Sequence, residues 1–457
     1  MLRAAFPRRQ NQRSGLQADL PFRLMQQCVA WQPHLIRQVC FREISSVTLD
    51  GPLRTASPAL ATPILQVQLQ VDPITHSFTC RYRFTLPASD TTSVVRLNLN
   101  SHLKLQQVLA PRAGQPRITS VVPGYGNDTL HQIQVRYAPN PRRSRYIELV
   151  YTGKIGEGYY TDHVNFLSGH SEWLPYRPYQ EYEVLPYKLT VQVPPGYQVR
   201  STVRPSQQKA GRWTFQGTTS AIELTAFVAK QFYETVSAVS PPITLVKTGA
   251  PLARTDSVML RQGEVITAFY NRTIGRQDPI TRFTIFLPGT NRGAYGLLDD
   301  ATIITYPDFD VAKTEDLLVL AHEISHKWWG YGSFHDETDW LNEAFATYSS
   351  LLYLQASGDE AGYQKELNRL AQTTTGTPPL WGFDRYKYEY PMHRRVIYNK
   401  GTGILHALRT RIGNAQFLQL LATSAARKTS TTTEFLQLVE QVAGPETSVW
   451  LLAELKR

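Results

Sequence analysis

The feature that most restricts the fold is a change of period partway along the chain. From Ile64 to Val71 the stretch ILQVQLQV alternates apolar residues with glutamine. FTCRYRF (78–84) then sets Phe78, Cys80, Tyr82 and Phe84 against Thr79, Arg81 and Arg83. A period of two is the mark of half-buried antiparallel strands. VVRLNLN (94–100), QIQVRY (132–137), YIELVY (146–151), YKLTVQV (187–193), RWTF (212–215) and AIELTAFV (221–228) continue it, with turn-rich PGYGND and VPPGY between them. Many short strands with little helical pattern predict an all-β domain over 50–238.

Beyond 238 the character changes. PPITL and a helical stretch near 255–272 lead into RFTIFLP (282–288), a glycine-rich turn GTNRGAYG, and a second apolar run, ATIITYP (301–307). TEDLLVLAHEISHKWW, DWLNEAFATYSSLLYLQ, KGTGILHALRTRI, NAQFLQLLATSAA and TTEFLQLVEQV follow, all with helical spacing. The chain reads as α+β and multidomain: an antiparallel β domain, then a mainly helical domain over 239–457.

Composition sets bounds. A hydrophobic fraction of 42% and a charged fraction of 19% are those of an ordinary globular protein. Of the net charge of +11, +5 falls in residues 1–49, where seven arginines face only Asp19 and Glu43. No Lys/Arg run long enough for a nucleic-acid arm occurs elsewhere, so no nucleic-acid partner is expected. Cys28, Cys40 and Cys80 cannot all pair, and none stands in a CxxC spacing, so inert thiols are expected. No transmembrane segment and no secretory h-region are found. The basic segment 1–49 reads as an extension outside the folded domains. Its composition suits a transit peptide, a disordered tail or a misplaced start equally. A cytoplasmic location is the expectation.

AHEISHKWWG (321–330) carries the chemistry. His322 and His326 are four apart on a predicted helix, so both imidazoles leave one face. Thr314 is placed to cap that helix, Glu315 and Asp316 suit its dipole, and Gly330 is placed to stop it. Two imidazoles so placed suit Zn²⁺, and Glu323 is set to reach a metal-bound water rather than the metal. HExxH alone could be a pair of packed histidines. Glu343, in DWLNEAFATY, opens the next helical segment and supplies a third ligand, leaving a fourth position open as catalytic zinc requires. One Zn²⁺ per chain is expected, with Glu323 as general base. A phenol downstream would serve the oxyanion. Spacing alone does not choose Tyr398 over Tyr386, Tyr388 or Tyr390.

HEISHKWWG, WLNEAFATY and the YNKG that precedes a helix together resemble the gluzincin metallopeptidases of the aminopeptidase N family. The resemblance runs over roughly 60–450 and includes EWLPYRPY and YKLTVQVPPGY in the β half. It implies a saddle-like N-terminal β domain followed by a thermolysin-like catalytic domain, without the C-terminal helical domain of many members. It implies His322, His326 and Glu343 as ligands, Glu323 as base and Tyr398 as oxyanion donor, with Lys400 in a structural role. The implied activity is zinc-dependent hydrolysis of peptide bonds, foremost as an aminopeptidase acting on peptide substrates.

The sequence departs from the family in two places. Sixteen residues lie between His326 and Glu343, two fewer than the family spacing, which a trimmed loop YGSFHDETD absorbs. The family holds the substrate's ammonium with the glutamate of a Gly-x-Met-Glu-Asn strand. Here RGAYGLLDD offers Gly293, Ala294 and Tyr295 as the substrate-binding strand, but no glutamate follows Tyr295. Asp299 and Asp300 are out of register and belong to a turn. FLSGH (166–170) stands where the β domain's own anchor is sought. The loss keeps two alternatives open: a zinc peptidase with no need for a free N-terminus, and an inactive zinc-binding scaffold. His335 and His393 are expected in packing roles. Arg394 and Arg395 could meet a substrate carboxylate, though a solvated turn is the plainer reading.

Overall fold

The alternation from Ile64 onward buries one face of a sheet. Leu65, Val67, Leu69 and Val71 point inward, and Gln66, Gln68 and Gln70 point to solvent. In this computed structural model the described residues are 64–457, except 112, 124–128, 139–143, 169, 170, 172, 291 and 292. The basic segment 1–49, Cys28 and Cys40 lie outside them. The described residues belong to one compact unit, Pro58–Arg457. Ile64–Asp72 lies at the centre of a seven-stranded sheet, antiparallel to Ser77–Leu86 (Val67 opposite Tyr82, Leu69 opposite Cys80). Its other neighbour, Val184–Gln192, runs parallel to it, the one parallel pair in that sheet. Two three-stranded sheets complete the β half. Cys80 is fully buried in this core as a small hydrophobe.

The second half is built on a five-stranded mixed sheet, in the order Tyr233–Val236, Ile243–Lys247, Phe283–Leu287, Ala301–Ile304, Ala294–Leu297. Helix α1 (Arg254–Arg272) joins two parallel strands of this sheet, Ile243–Lys247 and Phe283–Leu287. Then come α2 (Thr314–Ser325), α3 (Trp340–Ala356), α4 (Glu360–Gln372), the short α5 (Tyr390–His393), α6 (Gly401–Ile412), α7 (Asn414–Arg427), α8 (Thr432–Ala443) and α9 (Pro445–Lys456). No helix among the described residues is long and apolar enough to cross a membrane.

Three buried tryptophans fix the helices that matter for the site. Trp328 donates to the Asp278 carbonyl (2.8 Å), Trp329 to Ser349 Oγ (2.9 Å) and Trp340 to Thr432 Oγ1 (3.1 Å). Each buries a large ring while its one polar atom is satisfied. Tyr270 of α1 donates to the Ala321 carbonyl (2.9 Å), tying α1 to the turn that carries His322. At the other end of the site α6 crosses α3 closely: a Cβ on Gly401 would lie 2.6 Å from that of Ala344. A glycine there lets the helix after Tyr398 seat directly against the residue beside Glu343.

Candidate metal centre

Helix α2 begins one residue earlier than its sequence suggests, with Lys313 rather than Thr314 in the capping position. Asp316 in the first turn accepts the backbone N–H of Asp310 (2.9 Å) and the Tyr306 hydroxyl (3.2 Å). The helix also stops well before Gly330. Ser325 Oγ bonds back to the His322 carbonyl (2.7 Å), and the next bonds are three-residue ones, from Lys327 to Ile324 and from Trp328 to Ser325. Such bonding tightens a last turn. His326 is therefore the C-cap, yet it keeps right-handed helical backbone (φ −60°, ψ −14°). The i, i+4 relation of the two histidines survives.

The three candidate ligands converge. His322 Nε2 and His326 Nε2 are 3.1 Å apart, and Glu343 Oε2, in the first turn of α3, lies 3.3 Å and 3.8 Å from them. A point equidistant from the three atoms lies about 2.0 Å from each, the length of a Zn–N or Zn–O bond. His326 Nδ1–H donates to the Trp329 carbonyl (2.6 Å), which turns Nε2 toward His322 and Glu343. His322 Nδ1 meets Thr347 Oγ1 at 3.3 Å. Ring nitrogens held from behind in this way are typical of metal-ligating histidines. Burial alone would raise the Glu343 carboxyl. His322, His326 and the Tyr398 phenol outweigh it and hold that carboxyl at about 2, ionised as a ligand must be. Two imidazole nitrogens and a carboxylate oxygen converging at this spacing form a donor set that suits a divalent cation.

Glu323 is a different kind of group. It is 6% exposed, and its Oε2 has no hydrogen-bond partner and lies 3.9 Å from His326 Nε2. Its donors fall with His322 and His326 within one 4.8 Å cluster able to hold a metal. Glu343 completes a tighter triangle with the two histidines, so Glu323 is left beside the site. Burial, only partly offset by His326, pushes its carboxyl up to about 7. A base poised near neutrality suits proton transfer.

Tyr398 stands in a π-helical stretch, Arg394–Lys400, between α5 and α6. Such bulges recur at functional sites because they turn a side chain out of helical register. Its ring lies parallel to that of His322 (centroids 6.3 Å apart, 6° between planes). The other three tyrosines have ring or hydrogen-bond partners of their own. Tyr386 bonds to His335, Tyr388 stacks on Phe383 (5.2 Å) and Tyr390 stacks on His393 (5.8 Å).

The expected substrate strand, Ala294–Leu297, is the open edge of the five-stranded sheet. The Gly293 carbonyl accepts from both Thr305 N–H and Thr305 Oγ1 (2.8 Å each). By antiparallel alternation, Ala294 and Gly296 turn their backbone groups outward. The Gly296 N–H reaches the Glu323 carboxylate. A Cβ on Gly296 would lie 2.2 Å from the Glu323 carbonyl oxygen and 2.5 Å from His326 Cβ. This position follows Tyr295, where the family's glutamate would stand, and it has no room for any side chain. Tyr295 instead reaches across to Ser168 Oγ of the β half (3.4 Å). Gly169 and His170, in the stretch sought for a second anchor, lie outside the described residues.

The structure also brings in residues that the sequence did not single out. Asn342 is the main one: its amide spans the trimmed loop, accepting from Gly332 N–H (2.9 Å) and donating to the Gly332 carbonyl (3.0 Å) and Asp339 Oδ1 (2.9 Å). That brace lets the shortened loop deliver Glu343. The only signal in the sequence was its place directly before Glu343. Asp299 and Asp300 do form a turn, and its tip is held by the β half: Glu223 Oε1 accepts the Leu298 N–H (3.0 Å) and Glu223 Oε2 accepts from Ser220 (2.9 Å). Neither spare histidine enters the triangle. His393 is buried with its Nε2 3.2 Å from Asp339 Oδ2, and His335 lies 3.4 Å from the buried Glu181.

Comparison with known proteins agrees with this architecture. Residues 308–450 match the Peptidase family M1 domain. No curated protein matches the chain at the level of sequence. The M1 zinc metallopeptidase of Deinococcus radiodurans has a similar fold, with a TM-score of 0.66 at 18% identity over 86% of this chain and 94% of that one. A glutamate-to-alanine variant of the Deinococcus radiodurans M1 zinc metallopeptidase, bound to a Tyr-Ser-Ala substrate, gives 0.64 at 19% over 86% and 94%. A two-domain M1 zinc metallopeptidase variant bound to L-arginine gives 0.66 at 18% over 87% and 94%.

Proposed function

We propose that the protein is a zinc-dependent aminopeptidase, on the premise that residues 308–450 match the Peptidase family M1 domain. The observation that carries this reading is the triangle of His322, His326 and Glu343 with the unpartnered oxygen of Glu323 beside it. These three residues would hold the zinc. Bound there, zinc supplies Lewis acidity and brings the pKa of a water from 15.7 to about 7. Glu323 takes the proton of the attacking water and returns it to the leaving nitrogen. The Tyr398 phenol donates to the oxyanion as the carbonyl carbon becomes tetrahedral. The outward backbone groups of Ala294 hold the peptide by edge pairing, with Gly293 and Tyr295 flanking it.

One observation favours a second reading, a zinc peptidase with no need for a free amine. Gly296 offers no carboxylate for an ammonium, and its surroundings leave no space for one. The test sets a free peptide against its N-acetylated twin, with zinc-loaded protein, products followed by mass spectrometry and Glu323→Gln as control. Stepwise loss from the free peptide alone supports the aminopeptidase, and internal cleavage of both supports the second reading. If Glu323→Gln matched the parent on every peptide, hydrolysis at this centre would be ruled out.

A further inference from the structure

Resting on the peptidase reading, we infer that Arg394, with the Tyr390 phenol beside it, binds the C-terminal carboxylate of a short peptide on the leaving-group side of the centre. The substrate class is then dipeptides and similarly short peptides, registered from their carboxyl end.

Two adjacent arginines open the π-helical stretch, and the fold treats them differently. Arg395 is committed to the scaffold: its Nε donates to the Thr373 carbonyl (2.6 Å) and its Nη2 to that of Thr375 (2.8 Å). Arg394 is exposed, with its guanidinium carbon 4.4 Å above the Tyr398 ring. No ion pair joins it to a carboxylate among the described residues. A guanidinium lying over a ring leaves its N–H edge free, and that edge matches the two oxygens of a carboxylate. Tyr390, 54% exposed, brings a phenol to the same guanidinium as a further donor.

The placement is at the reacting end of the cleft. Tyr398 lies parallel to His322, and the charge of Arg394 is felt at both Glu323 and Glu343. Four described acids around the centre are already engaged. Glu323 and Glu343 serve the centre, Asp339 is held by His393 and Asn342, and Asp300 lies at the hairpin tip with Lys327 (3.1 Å). What these residues present to a substrate is a cation, the Arg394 guanidinium, beside the Tyr398 ring. A carboxylate one residue beyond the scissile bond is the substrate group that this cation fits.

The test separates binding from turnover. Zinc-loaded Glu323→Gln protein is titrated by calorimetry with Ala-Phe and with Ala-Phe amide, with Arg394 intact, as Arg394→Gln and as Arg394→Lys. A charge-assisted pair predicts that the acid binds about 10- to 100-fold more tightly than the amide. That preference falls to within about 3-fold in Arg394→Gln and is partly kept in Arg394→Lys. Equal binding of acid and amide with Arg394 intact overturns the inference. So does an equal loss for both ligands in Arg394→Gln, which would make Arg394 a prop for Tyr398. An acid preference in protein that, with Glu323 restored, hydrolyses no peptide leaves the carboxylate site standing and removes the peptidase reading instead.

Discussion

Gly296→Ala is the most direct test of how the centre is built. The added Cβ would sit 2.2 Å from the Glu323 carbonyl oxygen, where ordinary contact begins near 3.4 Å. The obstacle is helix backbone rather than the flexible end of a side chain. Strand and helix must therefore separate by about 1 Å, and His326 Cβ, 2.5 Å from the new atom, moves with the helix. Overpacking of this kind costs about 1–3 kcal/mol. At roughly 2–4 °C per kcal/mol, the scale for domains of 150–250 residues, Tm should fall by about 2–12 °C. A 1 Å displacement of reacting groups costs about 100-fold in rate. The assays are thermal unfolding with and without zinc, zinc affinity by chelator competition, and kcat/KM on a tripeptide. Gly403→Ala is the control: a Cβ there meets nothing within 4 Å, and the position lies exposed in α6. It should gain about 0.5–1 kcal/mol and leave zinc affinity unchanged. If Gly296→Ala kept kcat/KM within 2-fold and Tm within about 1 °C of the parent, the strand would not be seated on the metal helix as described.

Three further expectations follow from the site. Glu343→Gln should weaken zinc binding by more than about 100-fold, the most that loss of an outer partner costs, as read by metal analysis after dialysis against chelator. Tyr398→Phe should keep its zinc and lose about 100- to 1,000-fold in kcat with KM little changed, since the phenol acts on developing charge; equal loss in both parameters would mean a ground-state contact. Burial raises the carboxyls of Glu223 and Asp299 above the ordinary range, and they repel one another. The folded chain therefore keeps protons that the unfolded chain releases, and stability should decline as pH rises from about 4.5 through neutrality. Glu223→Gln should flatten that slope in unfolding scans run with chelator present. An unchanged slope would mean that this pair does not titrate on unfolding.

Much of this could be read in the chain because its signals are local. Alternation marked the strands of the β half, and HExxH, NE and YNK each stood within one element. What could not be read depends on contacts between elements. Nothing in EISHKWW says that Ser325 will bond back to a carbonyl and end α2 at His326. Spacing alone left four tyrosines, the YNKG resemblance pointed to Tyr398, and the π-helical stretch that carries it has no signature in sequence. Likewise HRRVIY gave two equivalent arginines, and only Thr373 and Thr375, about twenty residues upstream, distinguish them. The missing glutamate after Tyr295 was legible as a lost anchor, but that Gly296 is packed against Glu323 and His326 was not.

The hairpin that carries the cleft's edge strand belongs to the catalytic sheet, yet its tip is fastened by Glu223 of the β half. The candidate site thus has two authors along the chain. A fragment beginning near 239 would keep every candidate ligand and still lack the footing that holds Ala294 in line. Exchanging β halves between relatives would re-aim that strand without touching a catalytic residue, so peptide preference would travel with the half of the molecule that does no chemistry.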